Sequence, residues 1–279
     1  MPDAATPGAL HIVSTPIGNL SDISIRALAV LQGVSAICCE DTRHARMLLQ
    51  RYGIHTPTLA LHEHNEAQAT PRLVERLKAG EALALVSDAG TPLVSDPGAR
   101  LVRAAVDAGV RVVPIPGASA TLAALVGSGF VPHPCTILGF LPRKGGERRE
   151  QIAMALRLPH AVVLFESANR LVETLHDLAK AASGPRTVAV ARELTKHYEE
   201  FMRGTLLEVA AYYEGVPPRG EIVLVLEGAA AAAPPTEDDL RHVVTVLRAE
   251  GVSSRDIVQQ LVDAHGASRN LAYRLAHDT

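Results

Sequence analysis

Tryptophan is absent from this chain, and phenylalanine and tyrosine together supply only 3% of its residues. Hydrophobic residues still make up 47%, so a sizeable core must be built from alanine, valine and leucine. Three cysteines, two of them adjacent (Cys38 and Cys39), are too few for a disulfide framework and lack zinc-site spacing. An excess of positive charge is also missing. The formal charge is −3, so any contact with nucleic acid must rest on a local patch. Neither a G-x-G-x-x-G dinucleotide fingerprint nor a P-loop G-K-[ST] occurs. The one G-x-G, Gly127-Ser128-Gly129, follows a helical pattern and reads as a helix C-terminus. The long uncharged stretch from Val112 is cut by Pro114, Pro116, Gly117, Gly127 and Gly129, which makes it strand, turn and helix rather than a membrane span. The opening MPDAATPGAL has no basic region followed by an apolar one, so no secretory leader is expected and the expected location is cytoplasmic.

What is present is a regular alternation of strands and helices. Its centre is Leu83 to Gly98, where an apolar run, Leu83 to Val86, suits a strand buried on both faces. That run breaks into Ser87-Asp88-Ala89-Gly90-Thr91-Pro92 and then Ser95-Asp96-Pro97-Gly98. A carboxylate-bearing Gly/Pro loop at the C-terminal end of a strand is where open α/β sheets hold ligands. Leu10 to Val13 predicts another strand, followed by Ser14 to Asp22 and a helix from Ile23 with Ile25, Leu28 and Leu31 inward. Val34 to Cys39 and Leu59 to Leu61 are expected strands, His44 to Arg51 and Leu73 to Ala79 expected helices. Glu40-Asp41-Thr42-Arg43 at a strand end fits either a site or an N-cap with first-turn acids. His62 and His64 lack a third clustered partner, so a polar loop is favoured over a metal site. Ala99 to Ala108 is helical, and Val110 to Ile115 a strand closed by Pro116 to Ala120, where Ser119 can cap the next helix. This alternation argues for a mostly parallel sheet.

A second segment begins near Phe130. Expected strands are Cys135 to Phe140, Ala161 to Phe165, Thr187 to Ala191 and Glu221 to Leu226, with Tyr198 to Met202 as an antiparallel partner. Leu171 to Ala182 and Leu206 to Tyr213 are expected helices. The densest basic cluster, Arg143, Lys144, Arg148 and Arg149, follows a strand and contains Gly145 and Gly146; it fits a solvated turn or a phosphate-contacting loop. GAAAAAPP then reads as a linker, and three short helices close the chain: Asp239 to Glu250, Arg255 to His265 and Arg269 to His277. They resemble a helix-turn-helix module, with Arg255, Arg269 and Arg274 available to phosphates, or a bundle used for packing.

Ordered along the chain, these motifs resemble the tetrapyrrole-methylase superfamily, in its branch that acts on small-subunit ribosomal RNA. The residues that carry the likeness are Ser14 to Leu20, Glu40 to Arg43, Ser87 to Gly98, Pro116 to Ala120, Gly139 to Lys144, Phe165-Glu166-Ser167, Arg192 to Lys196 and Arg219-Gly220-Glu221. The superfamily's usual glycine-rich first loop and Gly-Asp-Pro loop appear here as Thr15-Pro16-Ile17-Gly18 and Gly90-Thr91-Pro92, the ribosomal branch's form. The resemblance implies a two-domain α/β fold, residues 8–118 and 119–228, with a linker at 229–235 and a helical module at 236–279. It further implies a homodimer, no membrane or metal, and S-adenosylmethionine in the cleft between the domains. The implied activity is 2′-O-methylation of a cytidine in 16S ribosomal RNA of the 30S subunit. Methylation of a tetrapyrrole carbon and a non-catalytic RNA-binding role stay open beside it.

Small residues and free backbone groups suit adenosine and methionine contacts. They nominate Pro16, Ile17, Gly18, Asp88, Gly90, Thr91, Pro92, Val94, Ser119, Ala120 and Phe165 for the cofactor. A ribose hydroxyl needs a base or a nearby cation to become nucleophilic, which nominates Glu40, Asp41, Arg43, Glu193 and Lys196 for catalysis, with Glu166 and Lys144 also at strand ends. Arg143, Lys144, Arg148 and Arg149 are expected on RNA phosphates.

Overall fold

The computed structural model describes residues 5–229 and 235–277. Most of the expected linker therefore lies outside the described residues. The chain forms two compact units that divide after Ala229.

In the first unit, β1 (Ala9–Val13), β2 (Ala36–Cys39), β3 (Thr58–Ala60), β4 (Leu83–Val86) and β5 (Arg111–Ile115) make one sheet in the order β3-β2-β4-β1-β5. Every pairing is parallel. The central strands are buried on both faces, and alternate side chains feed two cores. Leu10, Ile12, Ala36, Cys38, Leu83 and Leu85 point into one core, with α3 (Glu66–Lys78) and α4 (Ala99–Asp107). Val13, Ile37, Cys39, Ala84 and Val86 point into the other, with α1 (Ile25–Gly33) and α2 (Thr42–Arg51). Two expectations shift here. Ser24 caps α1, so Ala27, Val30 and Leu31 face the core and Ile25 is 78% exposed. Helix α3 starts at Glu66, ahead of the expected Leu73, and carries Pro71 within it. Its first residue is useful: the buried Glu66 carboxylate accepts the amides of Arg100 and Leu101, the opening donors of α4.

Helix α5 (Ala120–Gly127) leads to a second sheet of β6 (Cys135–Phe140), β7 (Ala161–Ser167), β8 (Thr187–Arg192), β9 (Glu200–Thr205) and β10 (Glu221–Leu226). The order is β6-β7-β10-β8-β9, with only β6 and β7 parallel. The antiparallel partner of β8 is thus β9, beginning two residues beyond the expected Tyr198. One face of this sheet packs Val162, Leu164, Val188, Val190 and Leu224 against α6 (Gly146–Arg157), α7 (Leu171–Ala181) and α8 (Leu206–Gly215). The other face packs Val163, Ala189, Val223 and Val225 against Ala124 and Leu125 of α5, and Ile17 from the first lobe joins that cluster. Both sheets belong to the first unit as its two lobes.

The second unit contains α9 (Glu237–Ala249), α10 (Ser254–Asp263) and α11 (Arg269–His277) around Leu240, Val244, Ile257, Leu261 and Leu275. Thr236 and Asp239 form a reciprocal capping box at the start of α9. Gly251 and Gly266 turn the chain between the helices at φ +80° and +65°. Arg274 pairs with Glu237 at 2.7 Å on the surface of this unit, its side chain still 55% exposed.

Candidate active site

The parallel strands of the first lobe end together, and their loops are knotted by backbone and hydroxyl hydrogen bonds. Thr15 N donates to Gly90 O at 2.8 Å and Gly90 N to Thr15 O at 3.0 Å, a small antiparallel bridge between the loops after β1 and β4. Thr15 Oγ1 donates to Ser87 O, and Thr91 Oγ1 donates to Ala118 O at 3.1 Å while bonding Ser14 Oγ. Gly90 sits at φ +80°, and a Cβ there would lie 3.1 Å from Ile17 Cγ2. Gly117 stands so close to Ser14 that its Cβ would meet that side chain at 2.9 Å. Leu93 and Ser95, neither of them glycine, hold left-handed φ values of +74° and +67°, strain of the kind that concentrates at functional loops. Ser119 caps α5 through the amide of Leu122.

The second lobe approaches with side chains. Its loop after β8 touches the loop after β1: Thr195 Oγ1 accepts the amide of Asn19 at 3.0 Å, and a Cβ on Gly18 would meet Lys196 Cγ at 2.6 Å. Between the lobes lies a cavity of about 480 Å3, within the range of small-ligand sites. Ile17, Val94, Ala120, Phe140, Phe165 and Val223 supply its apolar wall, with the Phe140 and Phe165 rings 5.4 Å apart. A second cavity of about 360 Å3 shares Ile17, Asp88, Ala89 and Glu221 with it and adds Pro16, Gly18, His44 and Lys196. The structure therefore brings Pro16, Ile17, Gly18, Asp88, Val94, Ala120 and Phe165 to the walls of two adjoining cavities. Gly90, Thr91, Pro92 and Ser119 stand behind them as the frame.

The expected catalytic groups separate by partner. Asp41 caps α2 by accepting Arg43 N at 2.8 Å and forms an ion pair with the Arg43 side chain at 2.6 Å, which holds its carboxyl far below the usual range. That pair serves the start of a helix. Lys196 Nζ donates to Glu193 Oε1 at 2.9 Å and reaches Glu221 at 3.4 Å. Burial by itself would lower the Lys196 pKa, but the hydrogen bond and charges of Glu193 and Glu221 outweigh it and raise the value. The hydrogen bond from Lys196 holds Glu193 down in turn. Lys196 is therefore an ammonium ion and Glu193 a carboxylate at neutral pH. Asp96 behaves oppositely: burial, then the charges of Glu40 and Asp88, push it up to about 6.

The basic cluster divides as well. Arg143, Lys144 and Arg149 are exposed. Arg148 is not: its side chain is 6% exposed, pairs with Asp177 at 2.9 Å, and donates to Thr174 Oγ1 and to the carbonyl of Pro142. The expectation that Arg148 contacts phosphate is corrected. It is consumed in a buried network with Glu166, which also accepts Thr174 Oγ1 at 2.7 Å and lies 3.3 Å from Arg170. Through carbonyl bonds to Leu141 and Pro142, Arg148 and Arg170 fix the base of the loop that exposes Arg143 and Lys144. Asp96, Ser167 and Glu221 line the cavities without having been singled out as site residues; the signal was their place in Ser95-Asp96-Pro97-Gly98 and in two of the motifs that carried the resemblance. Among the described residues, no group of three metal-ligating side chains forms.

Comparison with known proteins adds to this geometry. The family described as Tetrapyrrole (Corrin/Porphyrin) Methylases matches residues 9–210. The chain is 45% identical over 267 residues to the Ribosomal RNA small subunit methyltransferase I of Mesorhizobium japonicum, covering 95% of this chain and 90% of that relative. It is 44% identical to the protein of the same name from Xylella fastidiosa, covering 96% of this chain and 99% of the relative. Among solved structures, a diphthine synthase superposes with a TM-score of 0.63 at 16% identity, covering 79% of this chain and 90% of the other. A uroporphyrin-III C-methyltransferase from Thermus thermophilus, complexed with S-adenyl homocysteine, superposes at 0.56 and 18% identity, covering 78% of this chain and 97% of the other.

Proposed function

The chain belongs to the tetrapyrrole (corrin/porphyrin) methylase family, and from that premise we propose that it methylates the 2′-oxygen of a cytidine ribose in 16S ribosomal RNA, with S-adenosylmethionine as methyl donor. The observation that carries this reading is the reach of the likeness. Relatives named for small-subunit ribosomal RNA cover 95% and 96% of the chain at 45% and 44% identity. The uroporphyrin-III enzyme aligns with 78% of it at 18% identity, which speaks for fold alone.

The cleft fits the donor. Its walls combine an apolar patch at Phe140, Phe165, Ala120 and Val223 with the polar groups of Asp88, Ser95 and Ser167, the mixture that a nucleoside and an amino acid require. Pro16, Ile17 and Gly18 line the smaller cavity, and the Thr15–Gly90 bridge holds their loop in place. When bound, the sulfonium supplies an electrophilic methyl group. The chain's own task is to hold the ribose oxygen in line with it and to keep water out, which can account for much of the rate. Lys196, kept cationic by Glu193 and Glu221, supplies positive charge at the cavity that would favour an attacking oxygen becoming negative. Arg143 and Lys144, exposed on a loop anchored from beneath, and Arg149, exposed near the start of α6, suit RNA phosphates.

The 30S subunit as substrate, a homodimer and a cytoplasmic location belong to the same proposal. Leu122 and Val126, 56% and 73% exposed on α5, support self-association. No helix among the described residues is long and apolar enough to cross a membrane.

The test is transfer from methyl-labelled S-adenosylmethionine to small subunits, to naked 16S RNA and to a uroporphyrinogen-type tetrapyrrole. Label in RNA, at a linkage that resists alkaline hydrolysis, is the expected result. Label in the tetrapyrrole, or in none of the three, would overturn the reading.

A further inference from the structure

Methyl transfer to a hydroxyl releases a proton, and the cavity walls offer five acidic residues that could receive it: Glu40, Asp88, Asp96, Glu166 and Glu221. Four are poorly suited. Glu166 is buried and accepts from Ser167 N at 2.8 Å and Thr174 Oγ1 at 2.7 Å, with Arg170 alongside. Glu221 shares the Lys196 ammonium and is 73% exposed. Asp88 accepts the amide of Asp41 at 3.2 Å. Glu40 stands exposed to solvent at the end of β2. Asp96 is different: it is half-buried, has no ion pair among the described residues and faces the negative charges of Glu40 and Asp88, and the hydrogen bond to Ser87 that opposes them is the weakest of these influences. The loop that presents it is fixed. Leu93 and Ser95 hold left-handed conformations before it, and Pro97 restricts its own backbone after it. Ser95 lies against the second lobe, where a Cβ on Gly139 would come within 2.9 Å of its hydroxyl.

We propose that the Asp96 carboxylate accepts the proton of the attacking ribose hydroxyl, as a catalytic residue of the methyl transfer; this rests on the function argued above. The hydroxyl oxygen forms its bond to the methyl carbon as the methyl–sulfur bond breaks and leaves its electron pair on sulfur. The hydroxyl proton passes to Asp96, which afterwards returns it to water. Charge balances throughout: a carboxylate and a sulfonium become a carboxylic acid and a neutral thioether. A carboxylate made basic by burial and by two neighbouring acids has more drive to take a proton than an exposed one, and a value of about 6 leaves it ionised at neutral pH. The groups that face the two adjoining cavities with it are Glu40, His44, Ser87 and Asp88 from the first lobe, and Glu166, Glu221 and Lys196 from the second. Lys196 cannot replace it, because its partners hold it protonated.

The test compares full-length wild type with Asp96→Asn and Asp96→Glu, measuring kcat and kcat/KM against pH and S-adenosylmethionine binding by calorimetry. Wild-type kcat/KM should fall tenfold per unit below pH about 6, the value expected for the Asp96 carboxyl in the free enzyme. Asp96→Asn should lose about a hundredfold to ten-thousandfold in kcat, keep its affinity for the donor and lose the acid limb, while Asp96→Glu recovers part of the rate. In the free wild-type enzyme, the 13C carboxyl signal of Asp96 should titrate near 6, a reading that survives even if the Asn variant fails to fold. Asp96→Asn retaining wild-type kcat and the same acid limb would overturn the inference, as would an Asp96 signal titrating in the ordinary carboxylate range. A wild-type enzyme that transfers no methyl to RNA would overturn both this inference and the function on which it rests, whereas an active wild type with an indifferent Asp96 removes the inference alone.

Discussion

The two lobes of the first unit build the same cleft by different means. In the first, the loops after β1, β4 and β5 are held by backbone amides and hydroxyls, while residues at positive φ occur in both lobes, Leu93 and Ser95 in one and Glu193 and Thr195 in the other. In the second, position is fixed by charge: Arg148 and Arg170 hold the base of the basic loop, and Lys196 joins Glu193 to Glu221. Under the proposed function the difference would suit two ligands: a nucleoside with an amino acid and its sulfonium, held at close range by framed loops, and an RNA strand, met by charges standing on a rigid base. It also separates how each half should fail: the first through shape, the second through unpaired charge.

The largest effect should come from shape. Gly90→Val puts a β-branched residue at φ +80° and a Cβ 3.1 Å from Ile17 Cγ2. Calorimetry on the folded variant should show S-adenosylmethionine affinity reduced by roughly a hundredfold or more, about 3 kcal/mol. Unchanged affinity would move the donor away from this loop. Next is the second lobe's network. Arg148→Ala leaves Asp177, Thr174 and the Pro142 carbonyl short of a partner, and urea unfolding should record a loss of about 2–3 kcal/mol. Arg149→Ala, one residue on and exposed, should stay within about 0.5 kcal/mol.

Asp96 tests the first lobe from another side. Its folded pKa lies above the unfolded value, so ionising it opposes folding: the wild type is relatively more stable at low pH and loses that stability as pH rises toward about 6. Asp96→Asn should therefore stabilise the enzyme by about 1 kcal/mol at pH 8, after allowance for solvent screening, and the gain should vanish below pH about 4. Thermal melts across that range check the sign. The smallest effect belongs to the exposed basic loop. Replacing Arg143 and Lys144 with Ala should weaken RNA binding by several-fold and flatten its logarithmic salt dependence by about 1–2, with donor affinity unchanged.

Legibility in the sequence followed local physics. β4 and β10 were readable to the residue because uninterrupted Leu, Val and Ile runs fit few other structures. The opening of α3 was hidden by Pro71, whose usual meaning is a boundary; here the anchor is tertiary, through Glu66 and the first amides of α4. In α1, the capping Ser24 set the phase of the helix, so Ile25 faces outward despite its apolar side chain. Arg148 read as one more basic residue because a pattern of charges does not show which side a helix buries. Only with α6 in place do Arg148, Ile152 and Ala155 share the inward face. Asp96 lay in plain view, but its distinction comes first from burial and then from the charges of Glu40 and Asp88, one of them far away in the chain.

The measurement closest to the central claim is a crystal structure of the chain with S-adenosylhomocysteine. The ligand should lie between the lobes, its adenosine and amino acid portions against Ile17, Val94, Ala120 and Phe165 and beside the Thr15–Gly90 bridge, with its sulfur open toward Asp96. Ligand bound elsewhere, with these walls empty, would contradict it.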